Sequence, residues 1–135
     1  MSRAAKDKGA AAERELAGLL REHLGIDIRR KLGAARDGGH DLSGLPVALE
    51  VKRCETLRLP AWWAQAWEQG VKANLPPALA YRRSRQPWRF RVPLAPLMGL
   101  PWTTWPAIEM TADVEIKAFA ALVRDWMPEP VERAA

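Results

Sequence analysis

The segment that most constrains this chain is Val47-Ala48-Leu49-Glu50-Val51-Lys52. Side chains along a strand alternate between faces, so Val47, Leu49 and Val51 point to one side while Glu50 and Lys52 share the other. The apolar side needs a core to cover it. The opposite side sets an acid next to a lysine, which suits either a surface ion pair or a reactive site. An E-x-K triplet is common and by itself favours the ion pair. Asp41 shifts that balance. A turn centred near Leu45-Pro46 puts Asp41 across from Glu50 on the adjacent strand, and two neighbouring carboxylates raise each other's pKa until a cation relieves the repulsion. Oxygen donors favour Mg²⁺ or Mn²⁺ over zinc. The chain has one cysteine, Cys54, and two histidines, His23 and His40, which argues against a zinc cluster or a His-rich site. An acid on one strand and acid-x-lysine on the next suit metal-assisted phosphodiester hydrolysis. In that chemistry Lys52 orients a water or stabilises developing phosphate charge.

The flanking sequence predicts the elements that would carry such a site. Apolar residues at Ala12, Leu16, Leu19, Leu20 and Leu24 predict an amphipathic helix over 10–24, ended by Gly25. Glu13 lies on the border of its apolar face and is a third candidate carboxylate; Glu15 reads as a surface partner of Arg14 or Arg21. Strands are expected over 26–32, 41–43 and 47–54, with a glycine loop at Arg36-Asp37-Gly38-Gly39. A helix follows from Pro60 to about Asn74, then a hairpin of 79–82 and 88–92 bent at Arg85-Gln86-Pro87, and a last helix between Thr111 and Pro128. This order predicts an α/β fold with a mixed sheet, in one domain of 135 residues with a core of about 8–95 and a C-terminal extension over 96–135.

Charge points to the partner. The formal net charge is +5, and it is uneven: +3 over 1–58, +5 over 59–95 and −3 over 96–135. Basic surfaces of this kind attract nucleic-acid phosphates. The segment Arg82 to Arg91 holds five arginines around one bend, with Trp88 among them as a possible stacking surface. Trp62, Trp63 and Trp67 cluster on the second helix and read as packing residues. No apolar run reaches the ~20 residues of a membrane span, and the charged N-terminus lacks a signal-peptide core. The expected location is the cytoplasm.

With these residues in hand, Lys8-Gly9-Ala10-Ala11-Ala12-Glu13-Arg14-Glu15-Leu16, Arg29-Arg30, Gly39-His40-Asp41, Leu49-Glu50-Val51-Lys52 and Trp88-Arg89-Phe90 form an ordered set. The set resembles the archaeal-type Holliday junction resolvases of the PD-(D/E)XK nuclease superfamily over roughly residues 6–92. Trp62-Trp63-Ala64-Gln65 also resembles phage-borne members. The resemblance implies a restriction-endonuclease-like central mixed β-sheet flanked by helices, a homodimer, and Mg²⁺-dependent nicking of branched DNA, with Mn²⁺ as a substitute. Phage origin would place it in the host cytoplasm. Carried over by position, Glu13, Asp41 and Glu50 match the acidic residues and Lys52 the lysine, with the Val51 carbonyl as a further metal ligand. Arg14 and one of Arg29 or Arg30 match basic residues that contact DNA, and Gln65 a supporting helix glutamine. Lys8 in a basic N-terminal arm, Arg36 in the glycine loop and Arg53 beside the lysine are further DNA-binding candidates read from the residues themselves. His40 stands where the superfamily name puts proline. Alternatives are another nuclease of the superfamily, restriction-like or repair, and a non-catalytic DNA-binding module.

Overall fold

The computed structural model describes residues 3–30 and 41–127, with side chains from Gly9 onward. The loop at 36–39, His40, Arg36 and the Lys8 side chain lie outside the described residues.

Helix α1 (Arg3–Leu24) forms because Ala12, Leu16 and Leu20 recur every fourth residue and are buried together. Gly25, at φ 67°, ends it in the left-handed region. Two short strands, β1 (Arg29–Arg30) and β2 (Leu42–Ser43), pair antiparallel as a separate ribbon. Strand β3 (Ala48–Arg53) follows, and then helix α2 (Leu59–Ala73), with Pro60 in its first turn and Asn74 at φ 54° closing its end. Gly70 is required in that last turn, since a Cβ there would sit 2.7 Å from the Leu75 carbonyl oxygen.

The main sheet has the order β3-β4-β5-β6, with β4 (Pro77–Arg82), β5 (Arg89–Pro93) and β6 (Thr111–Glu115). Strand β3 runs parallel to β4 and the other pairs are antiparallel, so the sheet is mixed as expected. The parallel pair needs a crossover, and α2 supplies it. Helices α1 and α3 (Ile116–Trp126) cover one face, where Leu16, Leu49, Phe90, Phe119 and Val123 form the larger core. On the opposite face α2 packs Trp62, Trp63 and Ala66 on Leu79 and Tyr81. The α2 tryptophans are thus packing residues, and the Trp63 indole N–H donates to the Pro106 carbonyl at 3.1 Å.

The C-terminal part departs from the sequence expectation. Residues 111–115 form a strand and the last helix begins at Ile116. The sequence carries a signal for this strand: Ala112, Val114 and Ile116 alternate with Asp113 and Glu115, the period of a half-buried strand, and all three apolar residues pack against the larger core. The charge at Asp113 is tolerated because Arg89 and Arg91 of β5 pair with it. Residues 111–126, expected as part of an extension, belong to the central sheet and the larger core: Phe119 stacks on Phe90 with ring centroids 4.3 Å apart. Phe119→Ala is therefore expected to cost about 3–5 kcal/mol, as for other large core truncations. Urea unfolding checks this; a loss below 1 kcal/mol would mean that the segment is peripheral.

Candidate active site

Among the described residues strand β3 is an outer strand of the main sheet, with β4 its one strand partner there. Asp41 occupies its other edge. Its N–H donates to the Leu49 carbonyl at 3.0 Å, and its Oδ2 accepts from the Val51 N–H at 2.7 Å. Residues two apart on a strand turn their peptide groups to the same edge, so the Val51 carbonyl also faces Asp41's side. The turn that brings Asp41 there needs Gly44, which sits at φ 98° and where a Cβ would collide with the Asp27 carbonyl oxygen.

Glu50 and Lys52 share the α2 face, in register with Leu79 and Tyr81 of β4. Glu50 is only 4% exposed, and its Oε1 lies 3.5 Å from the Lys52 Nζ. Burial pushes the Glu50 carboxyl up to about 7, with repulsion from Asp41 adding to it and Lys52 opposing. Burial also raises Asp41, to about 6, against the pull of the Val51 N–H. The structure thus brings Asp41, Glu50, Val51 and Lys52 together.

Glu13 approaches from α1. Its charge contributes to the rise at both acids, while its own Oε2 accepts from the Arg30 Nε at 2.7 Å. Among the described residues no three Asp, Glu, His or Cys side chains close into an ion cage. Two carboxylates and a carbonyl nevertheless fit a hard divalent cation such as Mg²⁺, which commonly takes one or two carboxylates and leaves its other positions to water and substrate phosphate. The repulsion between half-buried Asp41 and buried Glu50 is the physical reason to place a cation there.

The basic residues divide into two groups. Arg30 is held by Glu13, and exposed Arg29 by Asp27. Arg53 lies 3.9 Å from Glu15. Arg14 is exposed on α1, and Gln65 is exposed on α2. Sequence reading missed the role of Glu15. Its carboxylate accepts from Arg82 and from the Trp88 indole N–H, tying α1 to β4 and β5, and it does not pair with Arg14 or Arg21. One available signal was its spacing three residues after buried Ala12, on the same helical stripe. Trp88 is buried in the larger core, which removes it as a stacking surface.

Residues 4–119 match the family model described as "Phage putative PDDEXK endonuclease". The chain belongs to this family. It is a nuclease, and its reaction is hydrolysis of DNA. The family position fits the resemblance to resolvases seen in the sequence. Among solved structures, the chain is similar to Hjc, a Holliday junction resolvase from the archaeal hyperthermophile Archaeoglobus fulgidus, with 20% identity and a TM-score of 0.53, over 84% of this chain and 96% of that one. That likeness shows the restriction-endonuclease-like fold. No curated protein sequence matches the chain. No helix among the described residues is long and apolar enough to cross a membrane. PD-(D/E)XK nucleases use divalent metals.

The raised carboxyls have a pH signature. Unfolded Asp and Glu release their protons near their ordinary pKa of about 4, while the folded pair holds protons up to about 6 and 7. The unfolded state therefore binds fewer protons between those limits, and stability falls as pH rises from about 4 to 7. In EDTA, Glu50→Gln is expected to match the parent near pH 4 and to exceed it at pH 8 by about 1–3 kcal/mol. Thermal melts across pH check this, and equal melting at pH 8 would count against a strained pair.

Proposed function

We propose that this nuclease is a Mg²⁺-dependent, structure-selective endonuclease that resolves four-way DNA junctions by paired nicks. The observation that carries the reading is the pairing of half-buried Asp41 with buried Glu50 at the edge of β3, with Lys52 3.5 Å from Glu50. Asp41, Glu50 and the Val51 carbonyl would hold the ion, with Glu13 as the third acid on the α1 side. When bound, the ion supplies Lewis acidity toward the phosphodiester and makes water a better nucleophile. Lys52, tethered by Glu50 on the same face, orients the attacking water and donates to a phosphate oxygen as negative charge builds. The Val51 N–H fixes the rotamer of Asp41, so that its remaining lone pairs face the site and not the strand edge. Gln65 is assigned to the rim of the site, from α2.

Arg14 is a proposed phosphate contact, as are Lys8 and Arg36 from the sequence. Arg29 joins them from the ribbon. Arg30 and Arg53 act in this reading through the carboxylates they hold, shaping the basic surface around α1. The choice of branched DNA is supported by the fold shared with a junction resolvase and by a net charge of +5 that favours phosphate binding without base readout. A homodimer would present two such sites to a symmetric junction. The proposed setting is the host cytoplasm.

The test is cleavage of a synthetic four-way junction against linear duplex, single strand and flap, in Mg²⁺, Mn²⁺ and EDTA. Mg²⁺-dependent paired nicks in the junction are expected, with Mn²⁺ able to substitute. Asp41→Asn, Glu50→Gln and Lys52→Ala should each slow cutting by at least about 10²–10³-fold while junction binding persists. Parental rates in all three variants would remove the site assignment. Equal cutting of linear duplex would leave a nuclease of another specificity.

A further inference from the structure

A second concavity lies outside the acid site, at the end of the β4–β5 hairpin. It has a volume of about 220 Å³ and is lined by Leu57, Tyr81, Arg82, Arg83, Pro87 and Arg89. That is below the ~300–1,000 Å³ of ordinary small-molecule sites, and it suits a single base with its sugar and phosphate left at the mouth. Its walls combine two chemistries. Leu57, Tyr81 and Pro87 give it an apolar side, and Leu57 leaves 37% of its surface in water with no packing reason to do so. Arg82 and Arg89 are rigidly held, Arg82 by Glu15 and the Gln86 carbonyl, Arg89 by Asp113 at 2.6 Å. Arg83 is exposed and has no carboxylate partner among the described residues.

The position links this pocket to the reaction. Tyr81 is the register partner of Lys52, so the pocket opens one strand away, on the same face of the sheet, at about the 5 Å spacing of neighbouring strands. The loop that carries Leu57 is anchored to the hairpin turn, because the Glu55 Oε1 accepts from the Ser84 N–H at 3.2 Å and from its hydroxyl. The apolar wall is therefore fixed against the arginines before any ligand arrives.

We propose that this pocket receives one unstacked nucleotide of the bound DNA, its base against Leu57, Tyr81 and Pro87 and its phosphodiester on Arg83. The inference rests on the nuclease reading above and adds to it a requirement for an unpaired or unstackable nucleotide near the cut. A phosphate alone would not need the apolar wall, and a fully stacked duplex has no base to offer it. Base stacking or apolar packing of this kind is sequence-tolerant.

The experiment uses the full chain with Glu50→Gln to prevent cutting, in Mg²⁺, with a four-way junction and a linear duplex of the same arm sequence. Both carry 2-aminopurine, at the branch point and at the matching duplex position. Binding to the junction is expected to raise the fluorescence as the base leaves its stack, and Leu57→Asp should abolish that rise. Arg83→Ala should weaken junction binding about tenfold and reduce the slope of log affinity against log salt by about one. Both positions are exposed, and matching thermal melts establish that the variants are folded. Absence of the fluorescence rise, or parental affinity and salt slope in Arg83→Ala, overturns the pocket. If the chain with Glu50 intact still nicks junctions in Mg²⁺, the nuclease reading survives that result. Failure of that chain to bind or cut any of these DNAs overturns both.

Discussion

The bond from the Val51 N–H to the Asp41 carboxylate is the constraint on which the site depends. An outer strand presents unpaired peptide groups that invite pairing with another strand. Here a side chain takes the place of that strand. The same bond ends the sheet, fixes the Asp41 rotamer and brings a second carboxylate to a strand already carrying Glu50 and Lys52. Without it, Asp41 would lose its strongest favourable contact while keeping the cost of burial. The Gly44 turn matters for the same reason: it sets the distance along the chain between the residue at the edge and the strand it caps.

A buried acid beside a half-buried one, both with raised proton affinity, is an arrangement that folding alone would not select. Replacing a buried ionic group by an apolar or neutral one often stabilises a protein. Yet this pair is supported from three sides, by the Val51 peptide, by Lys52 and by the larger core beneath β3. The larger core gives the sheet its rigidity, with Leu49 and Val51 anchored under α1 while Glu50 and Lys52 face the other way. Alternation along six residues thus separates the work of stability from the work of chemistry, and the strand can carry a destabilising pair because its other face is fully packed.

How far this was legible in the sequence depends on whether the information is local. The Val47–Lys52 alternation, the α1 stripe and the Pro60 helix start are set by neighbours along the chain, and they appear where the residues place them. Strand β6 was legible in the alternation of Ala112, Val114 and Ile116 with Asp113 and Glu115 but was passed over; what was not local is the support of Asp113, which comes from Arg89 and Arg91 more than twenty residues earlier. The functional pairing of Asp41 with β3 was legible from one turn. Its form was not: strand β2 pairs with β1, and Asp41 reaches β3 through its own peptide and carboxylate. Arginine roles were the least legible. A run of basic residues says nothing about which are held by Glu13, Glu15 or Asp113 and which stay free.

That division of the arginines bears on how a basic surface of modest net charge recognises DNA. An arginine held by a carboxylate contributes little net charge, but its remaining N–H groups are aimed and its rotamer is fixed. A free arginine contributes its full charge and gives up conformational freedom only on binding. Glu15 holds Arg82 and lies beside Arg53 while anchoring Trp88, so a single helix residue fixes the hairpin end relative to α1 and to the strand that carries Glu50. Arg14 and Arg83 are exposed and have no carboxylate partner among the described residues. Attraction would come from the free residues and shape from the held ones, and selection by DNA shape needs the second as much as the first.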